Sequence, residues 1–230
     1  MDIIQEFGYI CAVEELNAAI ESYEPAMEGA VDTIKNIVKR FWDFVKRIVR
    51  QTINGLLSII RKFRSVKAIT INDKSELESI ILKDVPDLMI MCENVRKAVE
   101  KGARSSSSDQ MNNIANDLHE MHQHAVEIER DIFKRLEFNN NKDDRKTVIK
   151  TNQLNTIVNK LSGDVKRLES LENNARNNAV HAVNDIEEWT GESNGTDYQK
   201  EYVRMYNNAQ GVYHTAMRGI ITVINHINKL

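Results

Sequence analysis

Apolar residues recur at helical spacing over most of this chain. Between residues 29 and 66 they follow alternating steps of three and four, which places them on one face of an α-helix. The positions on this face are Ile34, Val38, Phe41, Val45, Ile48, Thr52, Leu56, Ile59 and Phe63. Lysines and arginines occupy the opposite side, so the pattern predicts an amphipathic helix with one buried face and one basic face.

The same spacing continues through the rest of the sequence. It predicts helices over residues 2–22, 73–83, 86–103, 109–137, 146–189 and 197–229. A helix over residues 146–189 would be about 66 Å long at 1.5 Å per residue, which exceeds the diameter of a compact domain. We therefore expect the last three long helices to pack antiparallel, as an elongated hairpin or coiled coil.

Composition also favours an all-α fold. The 230 residues include only two prolines and nine glycines, so few positions interrupt a helix. We predict an elongated antiparallel helical bundle or coiled-coil hairpin with an N-terminal amphipathic helix pair, no sheet, and possible homo-oligomerisation through the long helices. The predicted segments are an acidic leader helix, a cationic amphipathic helix, a short helical pair and a long antiparallel bundle, at residues 1–28, 29–69, 70–104 and 109–230.

The net charge of −3 hides a sharp division along the chain. Residues 1–28 contain seven acids and no lysine or arginine, whereas residues 29–69 contain ten bases and two acids. Pro25 marks a break between the two segments, because a proline disfavours helix in the residue before it. This segregation of charge is the most informative feature of the sequence.

The sequence contains no motif of a known catalytic chemistry. It has no glycine-rich phosphate loop followed by a lysine, and no Gly-x-Ser-x-Gly element. His119, Glu120, His122 and His124 have helical spacings compatible with metal binding, but they lack the HExxH pattern and need a third ligand from another helix. We expect this run to be a solvated polar face, and we predict no enzymatic activity, no metal and no cofactor.

The cationic helix has three interpretations. In the first, its apolar stripe packs into the bundle and its bases only face water. In the second, the bases contact the phosphates of a nucleic acid without reading its sequence. In the third, the helix lies on an anionic membrane surface, with its aromatic residues at the interface. Candidate contact residues for the last two are Lys35, Lys39, Arg40, Lys46, Arg47, Arg50, Arg61 and Lys62, together with Phe41 and Trp42.

The junction between the acidic and basic segments reads Ala26-Met27-Glu28-Gly29-Ala30. It resembles the sites cut by the prohead proteases of large tailed bacteriophages, which recognise a small or aliphatic residue, any residue and then Glu. The resemblance implies that residues 1–28 are a propeptide, that cleavage follows Glu28, and that Gly29 begins the mature protein. Removal of residues 1–28 changes the net charge from −3 to +4. In an alternative interpretation, the leader only pairs with the basic helix as an antiparallel hairpin and neutralises its charge.

Substrates of this protease family include internal head proteins, which are made with an acidic leader and trimmed as the head matures. The resemblance implies a non-enzymatic virion protein that contacts packaged DNA or the inner capsid surface through its basic helix. We expect it in the host cytoplasm before assembly and in the virion interior afterwards, since the sequence shows no signal peptide and no transmembrane segment. Two alternatives stay open: a membrane-associated or membrane-active helical protein whose leader masks the cationic helix, and a cytosolic coiled-coil adaptor.

Overall fold

The computed structural model describes most of the chain after residue 29. The described ranges are 30–63, 67–72, 74–105, 107–140, 146–150, 152–153, 155–156, 158–160, 162–163, 166 and 195–229. The predicted leader helix and the predicted cleavage site at Glu28 and Gly29 lie outside these ranges, and so do residues 167–194.

Long helices dominate the described part of the chain. They are α1 (Ala30–Phe63), α3 (Val85–Ala103), α4 (Ser108–Asn140) and α5 (Gly195–Lys229). A short helix, α2 (Lys74–Ser79), and a π-helical segment (Ile80–Asp84) precede α3. The predicted helices over 29–66, 86–103, 109–137 and 197–229 are therefore confirmed to within three residues at each end.

Helices α4 and α5 run parallel to each other. Asn112 accepts a hydrogen bond from Arg204 at 2.7 Å near one end of the pair, and Glu129 is paired with Arg218 further along both helices. Residue numbers thus increase together along the two helices. Three successive antiparallel helices would also leave the first and the third parallel, so this direction does not contradict the prediction for the last three long helices. The middle one, predicted over residues 146–189, lies largely outside the described residues.

Helix α1 also runs parallel to α5. Phe41 packs edge to face on Tyr206, with ring centroids 5.3 Å apart. Further along, Gly55 lies so close to Ile224 that a Cβ added to the glycine would be 3.1 Å from the Ile224 Cγ2 atom. The absence of a side chain at Gly55 therefore allows the close approach of the two helices.

Helix α3 crosses α5 in the opposite direction. A Cβ added to Gly219 would lie 2.7 Å from Leu88 Cδ1, whereas Gly102, at the other end of α3, faces Met205. Helix α5 is thus the central element of the described fold: it contacts α1, α3 and α4, with α1 and α4 parallel to it and α3 antiparallel.

A proline explains the π-helical segment before α3. Pro86 has no N–H to donate to the carbonyl four residues earlier. The Val85 N–H instead donates to Ile80 O, five residues earlier, which is the π-helical pattern. The chain therefore passes from α2 into α3 without the break that the sequence predicted between residues 83 and 86.

A small antiparallel sheet joins two distant segments. Strand β1 (Ala68–Asn72) pairs with β2 (Lys146–Lys150), with Ala68 opposite Lys150 and Asn72 opposite Lys146. The predictions of no sheet and of a helix beginning at residue 146 are therefore wrong here. Both segments are rich in isoleucine, threonine or valine, whose β-branched side chains favour an extended backbone. After β2, the described positions between residues 152 and 166 are helical.

One hydrophobic core unites the long helices. Buried residues of α1, α3, α4 and α5 belong to a single packed cluster, which also includes Leu77 of α2 and Val158. The all-α class is confirmed, with the two-stranded sheet as a minor addition. The described parts of the sequence segments 29–69, 70–104 and 109–230 share this core, so α1 is built into the bundle.

Candidate nucleic-acid interface

The predicted apolar stripe of α1 is buried from Val38 to Ile59, the part whose side chains are described. Side chains exposed by 2% or less are Val38, Phe41, Val45, Ile48, Val49, Thr52, Leu56 and Ile59. Thr52 is the polar member of this set, and its hydroxyl donates a hydrogen bond of 3.0 Å to Ile48 O within the helix. The hydroxyl is thereby satisfied, so the threonine adds no unpaired polar group to the apolar face.

An aromatic cluster fixes the rotation of α1 about its own axis. The Phe41 ring packs edge to face against Trp42 at 5.1 Å and against Tyr206 at 5.3 Å. Tyr206 in turn lies 5.2 Å from Tyr202 on α5. Such ring pairs contribute about 0.5–1.5 kcal/mol each beyond the area they bury. With one side of α1 held by these rings, the opposite side is directed to solvent.

Basic side chains line the solvent side of α1. The exposed bases are Lys39, Arg40, Arg47, Arg50, Arg61 and Lys62, and Lys46 is half-buried beside them. At 100° and 1.5 Å per residue, the six exposed bases fall within an arc of about 140° over a length of about 35 Å. We call these seven residues the basic face of α1. It forms a long strip of positive charge on one side of a rod.

Within residues 36–62 of α1, one acid interrupts the basic face. Asp43 is exposed on the same side and is the sole Asp or Glu among residues 36–62. Lys39 and Arg40, and then Lys46 and Arg47, form adjacent pairs seven residues apart, which is about 10.5 Å along the helix. The face therefore keeps a strong positive excess, and its charges point outward from a rigid support.

The structure divides the ten predicted contact residues into three groups. The seven bases named above belong to the basic face. Lys35 lies in α1, but its side chain is outside the described part of the structure. Phe41 and Trp42 are only 2% and 3% exposed, so their assignment as surface contacts is wrong for this conformation. They pack in the core because they continue the apolar stripe.

The burial of these rings bears on the membrane interpretation. A helix that binds a membrane surface inserts its aromatic residues among the lipids. Here Phe41, Trp42 and Phe44 are buried in the bundle, so the same helix can insert them only by leaving its place on α5. Within the described residues, none of the helices combines the length and apolar character needed to cross a membrane.

The predicted histidine run does not converge on a metal site. His119 contacts Gln123 at 3.1 Å and His124 contacts Glu127 at 3.4 Å, both within one exposed turn of α4. His122 points the other way and contacts Thr215 of α5 at 3.1 Å. The described residues contain no cluster of three or more ligands placed to hold a metal ion.

Two arginine clusters were not found from the sequence. Arg135 of α4 donates hydrogen bonds to Glu76 and to Ser79 of α2, and to Asp84 in the π-helical segment. Arg218 of α5 makes a two-point contact with Glu129 of α4. Both clusters join residues more than 50 positions apart, so no local pattern of charges could reveal them. Their acidic partners hold them in place, and neither extends the basic face.

Comparison of the chain with protein-family models, with characterised proteins and with solved structures finds no match. The argument for a function therefore rests on the basic face of α1 and on the residues that support it.

Proposed function

We propose that the chain is a non-enzymatic internal head protein of a tailed bacteriophage, and that the basic face of α1 contacts packaged DNA. The observation that carries this proposal is the division of α1 into two sides. Its aromatic and aliphatic side is buried against α5, while seven bases lie along its other side. Exposed bases on a rigid helix neutralise backbone phosphates without distinguishing between base pairs.

The acidic leader supports a role for cleavage in this function. Residues 1–28 carry seven acids, and the junction after Glu28 resembles a prohead-protease site. Acids in the same chain compete with phosphates for the bases of α1. Cleavage before Gly29 removes this competition and turns a chain of net charge −3 into one of +4. DNA binding would then begin only after head assembly.

A basic strip of this kind also fits an acidic inner capsid surface. The two targets differ in charge density, because duplex DNA carries one negative charge per about 1.7 Å of axis. The basic face spans about 35 Å with few neutral interruptions in its first half, between Lys39 and Arg50. This density favours DNA as the target, and the capsid surface is the outcome to consider if DNA binding fails.

A charge-neutralising variant tests the DNA contact. We expect Lys39→Gln, Arg40→Gln, Arg47→Gln and Arg50→Gln together to weaken binding to duplex DNA by at least about 100-fold at physiological salt, because up to four phosphate contacts are lost. The matched control neutralises four exposed bases of α3 and α4: Lys97, Lys101, Arg130 and Lys134. It makes the same change in net charge and should retain most of the affinity. Equal losses in the two variants would show that only net charge matters.

A second measurement tests the cleavage. Co-expression with a cognate prohead protease should yield a protein whose intact mass corresponds to a chain beginning at Gly29. Glu28→Ala should block this product, because recognition depends on the carboxylate. If material from virions still begins at Met1, residues 1–28 are not a propeptide.

The trimmed protein should bind DNA more tightly than the full chain, because the acids of residues 1–28 no longer compete for the bases of α1. Equal affinities would show that residues 1–28 do not mask the basic face.

A further inference from the structure

Helices α1, α4 and α5 meet at a cluster of two histidines. His122 of α4 lies on α5 between Gly211 and Thr215, and the ring of His214 on α5 faces Phe44 of α1 with centroids 6.5 Å apart. We call His122, His214 and these immediate neighbours the histidine junction. It lies within the bundle and touches the buried side of α1 at its edge, where Phe44 lies.

The junction is shaped around the His122 ring. A Cβ added to Gly211 would lie 3.0 Å from both Cε1 and Nδ1 of His122, so only a glycine leaves room for the imidazole here without a shift. One helical turn later, the Thr215 hydroxyl lies 3.1 Å from His122 Nε2 and is itself 2% exposed. The ring is thus packed against α5 on one face and hydrogen-bonded to it at one edge.

The charges around the junction disfavour an imidazolium. Arg218 of α5 is near both rings, and His119 of α4 adds to the positive charge near His122. The nearby acid of α4, Glu129, is already paired with Arg218 through both of its carboxylate oxygens. A second proton-derived charge would therefore be added to a region that already has a cation and little spare negative charge.

Among the described residues, the remaining packed elements add one half-buried acid, Glu93 of α3, whose charge acts in the opposite direction at His214. Helix α1 contributes the uncharged Phe44 ring, and its nearest charged residues, Asp43 and Arg47, are exposed to solvent. The antiparallel register of α3 on α5 places the half-buried Glu93 at the level of His214. Burial first, and then Arg218 and His122, lower the pKa of His214 to about 4. Burial, His119 and Arg218 also lower the pKa of His122, against an opposing effect of Glu129.

We propose that the histidine junction is an acid-sensitive latch, at which protonation of His122 and His214 loosens α1 and α4 from α5. Because Phe41 lies one turn before Phe44 on the buried face of α1 and packs against Trp42, loosening of α1 exposes an apolar, aromatic surface. Acid would thus convert α1 from a helix that presents only bases into one that also presents aromatic residues. The latch does not depend on the proposed DNA contact.

The direction of the effect follows from linkage. A histidine with a pKa of about 6.5 in the unfolded chain and a lower one in the folded chain binds its proton preferentially in the unfolded state. Its contribution to stability is complete above pH 6.5 and is lost as the pH falls towards the folded pKa. For His214, with a folded pKa of about 4, the unfolding equilibrium constant should rise about 30-fold between pH 7.5 and pH 5.

Urea unfolding of the full chain at pH 7.5 and pH 5.0 tests the latch. His122→Gln with His214→Gln should remove at least a 30-fold part of the wild-type rise in the unfolding constant. The matched control is His124→Gln, an exposed histidine on the same helix, which should leave the wild-type pH dependence unchanged. If the double variant and wild type respond equally to acid, the latch is absent.

Two further measurements on the full chain complete the test. In a Trp189→Phe background, Trp42 is the only tryptophan, and its emission should shift to longer wavelength between pH 7.5 and pH 5.0. No shift would mean that acid does not expose the aromatic side of α1. If the double variant does not fold, proton NMR titration of the His214 and His122 rings decides. A midpoint at or above 6.5 for both rings would overturn the proposal.

Discussion

At the scale of single residues, Arg135 illustrates how one side chain can hold a local architecture together. Its guanidinium contacts Glu76, Ser79 and Asp84, and it also donates to Asp131 one turn earlier in α4 at 3.0 Å. Asp84 is 8% exposed, so its carboxylate depends on this partner. A planar guanidinium with five donors can serve several acceptors at once, which an ammonium cannot do in the same geometry.

Removal of Arg135 should therefore be costly. We expect Arg135→Ala to lower the free energy of unfolding by about 2–3 kcal/mol, because it leaves the Asp84 carboxylate partly buried without its partner. Arg135→Lys should give an intermediate loss. The control is Arg130→Ala, an exposed position on the same helix, for which the change should stay within about 0.5 kcal/mol. Urea unfolding measures all three, and equal values for Arg135→Ala and Arg130→Ala would contradict this account.

At the scale of elements, α1 has two sides with different roles: its buried side contributes to folding, and its basic face is the proposed binding surface. Trp42 belongs to the folding side, being 3% exposed, and its indole N–H has no hydrogen-bond acceptor among the described residues. Truncation of such a ring removes apolar contacts without breaking a hydrogen bond to described residues. The basic face, in contrast, has exposed bases whose replacement leaves the core untouched.

The two sides should respond differently to substitution. Trp42→Ala should destabilise the fold by about 3–5 kcal/mol, because it leaves a large cavity beside Phe41. Trp42→Phe keeps most of the packing and should cost much less. Neither should change the DNA affinity of the protein that remains folded. Urea unfolding together with fluorescence anisotropy on labelled duplex checks both points. A large loss of DNA affinity at unchanged stability would place Trp42 at the interface instead.

The periodicity of the sequence predicts α1 well because its two sides differ strongly in polarity. It fails for β2, where Lys146–Lys150 continues the apolar spacing of the segment behind it. There the β-branched composition and a distant partner strand favour an extended backbone. The paired residues are between 74 (Asn72 with Lys146) and 82 (Ala68 with Lys150) positions apart. The same difference in polarity between the two sides of α1 also allowed the basic face to be predicted. The sequence could not show whether Phe41 and Trp42 are buried in the core or lie at a membrane interface, since both locations need an apolar stripe.

At the scale of the whole molecule, the central place of α5 determines which helices neighbour each other. Helices α1 and α4 lie parallel to it, and α3 antiparallel. No local sequence signal reports such directions, because they depend on packing between residues that are about 90 to 170 positions apart, such as Asn112 with Arg204 and Phe41 with Tyr206.

The parallel direction of α1 and α5 can be measured directly. Spin labels on cysteines introduced at Arg40 and Asn207, both exposed, should lie close together, since Phe41 contacts Tyr206. Labels at Arg61 and Asn207 should be much farther apart, because the 21 residues from Arg40 to Arg61 advance about 31 Å along α1 at 1.5 Å per residue. Pulsed electron paramagnetic resonance, with the native cysteines replaced, gives both distances. A shorter distance for the second pair would mean that the helices are antiparallel.

The salt dependence of DNA affinity tests the central claim most directly, since it reports how many phosphates the bases neutralise. If about six bases of α1 contact phosphates, log K for the chain beginning at Gly29 should fall with log salt at a slope of roughly −5, almost independently of DNA sequence. The variant with Lys39, Arg40, Arg47 and Arg50 changed to Gln should reduce the slope to about −2, whereas the control with Lys97, Lys101, Arg130 and Lys134 changed should keep it near −5. A slope near zero, or the same reduced slope in both variants, would contradict the assignment of the basic face as the DNA contact.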